Sequence, residues 1–337
     1  MNSSRPPTPL PRISSAPPSS NSTSSLPPST PYLNVAYVAA EVAIALLSVA
    51  GNLLVCAAVG LERRLRTVTN YFLVSLAAAD VCVGAVAIPC AVLTDIGLPR
   101  HNLYLCLLML SVLIMFTQSS IFSLLAVAVE RYVAIFMPLR YGAVMTPRNA
   151  ALVILATWLL AFLIGLVPLM GWHKTPAGAG SCFFVAVVDM TYMVYFNFFA
   201  CVLTPLVIMF LIYAKIFVAV KRQVRRIASE RGEGRARAAA GLRREVKTAA
   251  SLFLVLFLFA GCWIPLHVIN CFLLLCPHCP VPLELLLTAI LLSHANSAVN
   301  PFLYAYTMAA YRDAFRAIFM RCRRGGGALS APGGDGG

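Results

Sequence analysis

The chain has 337 residues, of which 60% are apolar and only 11% charged, against roughly 25% charged in a soluble globular protein. That composition excludes an ordinary water-soluble domain. The formal net charge of +14 sits on loops between apolar runs, which suits anionic lipid headgroups and an acidic protein partner rather than nucleic acid.

Residues 1–31 are rich in Ser and Pro and have no apolar signal-peptide core, so they read as a disordered tail. Asn2-Ser-Ser and Asn21-Ser-Thr are glycosylation acceptors in it. Seven runs are long and apolar enough to cross a bilayer: Val35–Leu61, Thr69–Thr94, Leu103–Met137, Ala150–Gly171, Met190–Val220, Ala249–Leu275 and Leu283–Met308. No repeat is visible, so residues 32–308 read as one seven-span domain, the first span serving as signal-anchor. With the N-terminus outside, only Arg5, Arg12, Arg100 and Lys174 are extracellular, leaving 22 of the 26 Lys and Arg inside. The positive-inside rule selects that orientation.

The first span carries Glu41, read either as a snorkelling interfacial acid or as the partner of a His across the bundle. Asn52 lies deeper and reads as helix-packing glue. Asp80 is alone in the second span. A buried carboxylate needs a cation, a proton or several donors. One reading is a small-cation site, sodium for example, with Ser120, Asn296 and Asn300 as oxygen neighbours; the other is structural hydrogen bonding. The third span runs from Cys106 through the polar step Thr117–Ser120 to Glu130-Arg131-Tyr132 at its inner end. These charges are flanking charges, or a switch if a second acid meets Arg131; Glu245 at the inner end of the sixth span is that acid.

Cys106, Cys182, Cys276 and Cys279 lie on the outer, oxidising side, where pairing is expected. Cys106 with Cys182 would tie the second outer loop to the third span, and Cys276 with Cys279 would close a small loop. Pro205, Pro265 and Pro301 each remove an intrahelical hydrogen bond from the fifth, sixth and seventh spans, as static bends or as pivots. Residues 221–247 read as a basic inner loop. In residues 309–323, Phe315, Ile318 and Phe319 share one face with Arg312, Arg316 and Arg323 around it, an amphipathic helix on the inner leaflet. Cys322 at its end is a palmitoylation candidate. Residues 324–337 are Gly-rich and read as disordered.

The stretch Phe257–Tyr304 organises the rest. Trp263, His267 and Asn270 fall at i, i+4, i+7 on one face of the sixth span. In the seventh, Ile290, His294 and Ser297 share a face, with Ser293 beside it. Two such faces would wall one polar cavity.

Seven spans, Asn52, Asp80, Cys106, Glu130-Arg131-Tyr132, Trp158, Pro205, the step CWIPLH (Cys262–His267) and Asn300-Pro301-Phe302-Leu303-Tyr304, in this order, resemble a rhodopsin-like G-protein-coupled receptor over about residues 33–322. Glu130 stands where that family usually has Asp, which keeps the charge. The resemblance implies an all-α seven-helix membrane bundle with a short eighth helix, multi-pass in the plasma membrane, with no enzymatic activity and no required cofactor. It implies a heterotrimeric G protein, an arrestin and a receptor kinase as partners. Outward movement of the sixth span about Pro265 would expose Arg131 to the G protein, with Tyr213 and Tyr304 packing against it.

The last span has no Lys for retinal, and residues 105–115 have no acid to hold an amine. PLMGWH (Pro168–His173), YMVYFNFFACVL (Tyr192–Leu203), WIPLHVINC (Trp263–Cys271) and ILLSHANSAVNP (Ile290–Pro301) are similar to the adenosine receptors. By that resemblance Asn270 pairs with the adenine ring and Phe184 stacks on it. Leu266, Ile290 and Leu286 close the apolar walls, and Trp263 lies below. Thr117, Ser293, His294 and His267 surround the ribose, and Glu41 orients His294. Val185 follows the stacking Phe where most members carry Glu. Val185 and the run Arg244–Ala260 look like the type-3 branch, which implies an inhibitory G protein; His267 and the CPHC loop look like other types, of which type 2 implies a stimulatory one. A nucleoside transporter is the remaining alternative, and the absence of a repeat speaks against it.

Overall fold

The computed structural model describes residues 35–175, 180–228, 233–276 and 278–328, without the side chains of 224–228, 233–248 and 322–328. Asn2, Asn21 and the side chains of Glu245 and Cys322 therefore lie outside the described residues. Those described belong to one compact unit.

Among the described residues seven helices are long and apolar enough to span a bilayer. They are α1 (Val35–Leu61), α2 (Val68–Asp95), α3 (Leu103–Phe136), α4 (Pro147–Leu166), α5 (Tyr192–Leu203 running into Thr204–Ala228), α6 (Glu233–Leu275) and α7 (Leu283–Thr307); α8 (Ala309–Ala328) follows. Short helices at Pro138–Val144 and Phe184–Val187 lie in the connections. Among the described residues there is no strand, only an isolated bridge between His173 and Val188.

Local chemistry sets the boundaries. Asn102 caps α3 by accepting from the Leu105 N–H at 3.0 Å. Thr146 caps α4 by accepting from the Asn149 N–H at 3.2 Å, with Pro147 next in the chain. The composition of the fourth run predicts a span to Gly171, but the helix stops at Leu166 and the chain turns through Pro168 to Gly171, whose φ is +124°. Pro168 has no N–H to continue the helical ladder, although Val167 before it still has helical dihedrals, and only glycine adopts the φ of Gly171 readily.

The prolines also change helix register. Val83–Ala87 in α2 is π-helical, just ahead of Pro89, and Tyr192–Leu203 in α5 is π-helical, just ahead of Pro205. A wider turn accommodates the missing proline N–H. The Thr204 hydroxyl and its own backbone N–H both donate to the Phe199 carbonyl, the hydroxyl at 2.9 Å.

The basic stretch 221–247 is a correction. α5 continues to Ala228 and α6 begins at Glu233, so most of it is helical backbone. Its Ala and Arg are strong helix formers, and the run lacks proline. Likewise α8 continues past residue 323 to Ala328.

α3 is the axle. It packs against α2, α4 and α5, while α1 and α7 close the ring through α2 and α6. Of its apolar window 61% is buried, against 22% for α4. α4 exposes Leu152, Leu155, Leu159 and Leu163 along one face, a stripe that only lipid tails cover without cost. Backbones approach closely where glycine permits. A Cβ on Gly165 would lie 2.9 Å from the Ser111 carbonyl of α3, and one on Gly51 of α1 would lie 2.8 Å from Pro301 Cγ of α7.

Candidate functional site

Polar side chains inside an apolar bundle cost about 1–3 kcal/mol each when unpaired, so their partners locate what the fold is arranged around. Glu41 of α1 is fully buried and brings both carboxylate oxygens to Nδ1 of His294 on α7, at 2.9 and 2.8 Å. Of the two readings of Glu41, the structure selects the partner of a His across the bundle. The ring's Nε2 then points away from Glu41.

On α6, Trp263, His267 and Asn270 are all buried, as their shared face requires. The His267 ring stacks on Phe198 of α5 with centroids 4.5 Å apart, and lies 6.1 Å from the Trp263 ring. His267 therefore sits in the seam between α5 and α6. Among the described residues, neither of its ring nitrogens has a hydrogen-bond partner, and the same holds for both amide atoms of Gln118, Nδ2 of Asn197 and Nε1 of Trp263. Gln118 belongs to the polar step Thr117–Ser120 read from the sequence; Asn197 was not singled out, although it is an amide inside an apolar run. Thr117 and Ser293 are buried but donate to their own helices, to the Leu113 and Ile290 carbonyls. Leu286, Ile290 and Leu266 are partly buried.

Both expected cysteine pairs are disulfides, Cys106–Cys182 and Cys276–Cys279. The first ties the loop before α5 to α3. That loop is held again where the Cys182 N–H donates to the Gly97 carbonyl at 3.1 Å and the His101 N–H to the Gly180 carbonyl at 2.8 Å. It presents Phe184, partly buried against the apolar cluster that includes Leu107, Leu110 and Val187, while Val185 is exposed. At its base Asp189 accepts from the Thr191 N–H and hydroxyl. Burial works against its charge, yet these bonds and nearby Lys174 hold the carboxyl below the usual range.

Midway along the bundle Asp80 is fully buried. Its Oδ2 accepts from the Asn300 amide at 2.8 Å and its Oδ1 from the Ser120 hydroxyl at 3.3 Å. Asn296 is buried nearby in sequence but makes no hydrogen bond to Asp80 among the described residues. In its place Ser48 donates to the Asp80 carbonyl at 2.8 Å, and the Asn52 amide bridges the Ser48 and Ser297 carbonyls at 2.9 and 2.8 Å. Asn52 is the packing glue expected, joining α1 to α7.

Residues 51–304 match the model of the 7 transmembrane receptor (rhodopsin family). The chain belongs to that receptor family. The receptor is 48% identical over 298 residues to adenosine receptor A2a of Homo sapiens, covering 84% of this chain and 71% of the relative. It is 49% identical over 303 residues to adenosine receptor A2b of Bos taurus, covering 85% and 90%. To adenosine receptor A2b of Gallus gallus the figures are 44% over 310 residues, 86% and 89%. This is a family of multi-pass membrane receptors that signal and do no catalysis.

At the opposite end of the receptor from the disulfides, Arg131 of α3 pairs with its neighbour. Its Nε and Nη2 donate to the two Glu130 oxygens at 2.6 Å each, and Nη2 also reaches the Thr69 hydroxyl at 2.6 Å. Glu130 additionally accepts from the Tyr141 hydroxyl at 2.6 Å. Burial and then this bond to a carboxylate push the Tyr141 phenol up to about 12. Tyr213 and Tyr304 are buried, and the Tyr304 hydroxyl has no partner among the described residues. Tyr132 stacks on Phe136, centroids 4.6 Å apart.

Proposed function

We propose that this receptor is switched by extracellular adenosine and passes the signal to a heterotrimeric G protein on the cytoplasmic side, with its N-terminus outside. The observation that carries this reading is the buried Asn270, on the same face as Trp263 and His267, in a chain 48% identical to adenosine receptor A2a. An amide donates and accepts at once, which suits a ring nitrogen beside an exocyclic amine. Phe184 supplies the stacking face. Leu266, Leu286 and Ile290 form the walls, with Val185 at the rim. The Glu41–His294 pair, Thr117, Ser293 and His267 take the sugar.

Arg131 is the output residue in this reading, released from Glu130 when α6 pivots at Pro265. Asp80 and Ser120 offer a carboxylate and a hydroxyl to a sodium ion, with Asn300 beside them. The inner leaflet holds α8, and arrestin and a receptor kinase act on the inner face.

Two couplings are open to test. Val185 and the run Arg244–Ala260 favour an inhibitory G protein, whereas the likeness to A2a and A2b favours the stimulatory one. Adenosine applied to cells expressing the receptor gives the answer: cyclic AMP rises with a stimulatory protein, or falls in a pertussis-toxin-sensitive way with an inhibitory one. The ligand assignment is tested by Asn270→Ala, which should abolish adenosine binding at normal surface expression. Unchanged affinity in that variant would remove the assignment.

A further inference from the structure

A second acid stands beside the Glu41–His294 pair, and nothing above uses it. Asp95 ends α2, and its Oδ2 accepts from the Tyr37 hydroxyl of α1 at 2.7 Å. Tyr37 is buried although α1 opens at Val35, which is 82% exposed. Tyr37 and Glu41 lie one turn apart on the same face of α1. A line of side chains therefore runs from Asp95 on α2 to Tyr37 and Glu41 on α1 and on to His294 on α7.

The two ends of this line differ in rigidity. Two residues after Asp95, the Gly97 carbonyl accepts from Cys182, which is itself bonded to Cys106 of α3. The α2 end is thus anchored to the central helix. α1 is peripheral, with only 28% of its apolar window buried. Its N-terminal turns gain their position from polar ties to the helices beside them.

We propose that Asp95 is a positioning residue of the ligand pocket, holding α1 through Tyr37 so that Glu41 fixes the ring of His294. With Nδ1 occupied by Glu41, the ring plane and the direction of Nε2 are set before a ligand arrives. Releasing Tyr37 lets α1 shift and the imidazole turn. A ligand with sugar hydroxyls loses its partner at Nε2, and one without a sugar does not. The inference rests on the adenosine reading for the ligand that reports it, but not for the tether itself.

The test uses the full chain in membranes, with two probes: a radiolabelled adenosine-type agonist and a sugar-free adenine analogue. Asp95→Ala and Tyr37→Phe should each weaken agonist binding about tenfold and leave the sugar-free probe unchanged. The double variant should be no worse than either single one. Asp95→Asn, whose amide oxygen still accepts from Tyr37, should restore most of the affinity. Equal losses for both probes, no loss, or additive losses would overturn the proposal, since a merely structural tie moves both probes together. A ligand-free arm measures melting temperatures of Asp95→Ala, His294→Ala and their combination. Non-additive shifts are expected, and additive ones would overturn the tether. If the wild type binds neither probe, the adenosine reading fails while the melting cycle still decides Asp95.

Discussion

Glu41 and His294 are 253 positions apart in sequence, yet both Glu41 oxygens lie within 2.9 Å of one nitrogen of His294. The contact joins the first and last spans of the bundle at the level where a ligand is proposed to sit. A carboxylate there supplies a charge-assisted acceptor. Glu41→Gln keeps the shape and removes the charge, so agonist potency should fall roughly tenfold, a cost of about 1–2 kcal/mol. Concentration–response curves at matched surface expression would show it, and a curve overlying the wild type would mean that the pair does not serve the ligand.

Asp80 gives a second prediction. If its carboxylate holds sodium, the ion and the agonist compete through the conformational equilibrium, and the coupling is reciprocal. Raising sodium should weaken agonist binding in the wild type. Asp80→Asn should remove that dependence. Radioligand binding across a sodium series is the measurement, and a dependence that survives in the variant places the ion elsewhere.

The Arg131 end gives a third. Glu130 receives two bonds from Arg131 and one from Tyr141, so the guanidinium is clasped. Glu130→Gln loosens the clasp. A two-state equilibrium moves tenfold for about 1.4 kcal/mol, so loss of a charged bond should raise agonist-free nucleotide exchange severalfold. Arg131→Ala should instead abolish exchange and leave antagonist binding intact. Exchange in Arg131→Ala at the wild-type level would move the output site away from this residue.

The Cys106–Cys182 disulfide gives a fourth. It fixes the loop that presents Phe184, and removing a native disulfide commonly costs about 2–5 kcal/mol. Cys106→Ser should lower surface expression and weaken ligand binding. Cys276→Ser, which opens a far smaller loop, should have the lesser effect on both. Quantitative surface labelling alongside binding separates the two disulfides; equal effects would contradict this ranking.

The spans were legible because composition alone determines which solvent a run of residues prefers. The face shared by Trp263, His267 and Asn270 was legible because helical spacing does not depend on neighbours. The partners of buried polar groups were harder to read. His294 finding Glu41 was foreseen only through the resemblance to the adenosine receptors; the cost of both groups in lipid left Glu41 either snorkelling or paired with some His. Asp95 was passed over because it falls at the end of a span, where an acid is cheap, and its partner Tyr37 is amphipathic and unremarkable in sequence. Asn296 was placed at Asp80 by its spacing on α7, but Ser48 on α1 was not, because contacts between helices depend on their rotation. The helical backbone of residues 221–228 and 233–247 was missed because charged residues argue against a span, and they do not argue against a helix.

Gly51 has no side chain to adjust, and Pro301 has a ring that cannot turn aside, so the notch between them behaves as one inherited unit. A library randomised at position 51 alone should return glycine, because even alanine would place a carbon 2.8 Å from the ring. A library randomised at both positions should recover larger residues at 51 only in clones where 301 has changed as well. Recombining such clones with the parent gene between the two sites would then yield mostly non-functional offspring, a barrier written by one missing methyl group.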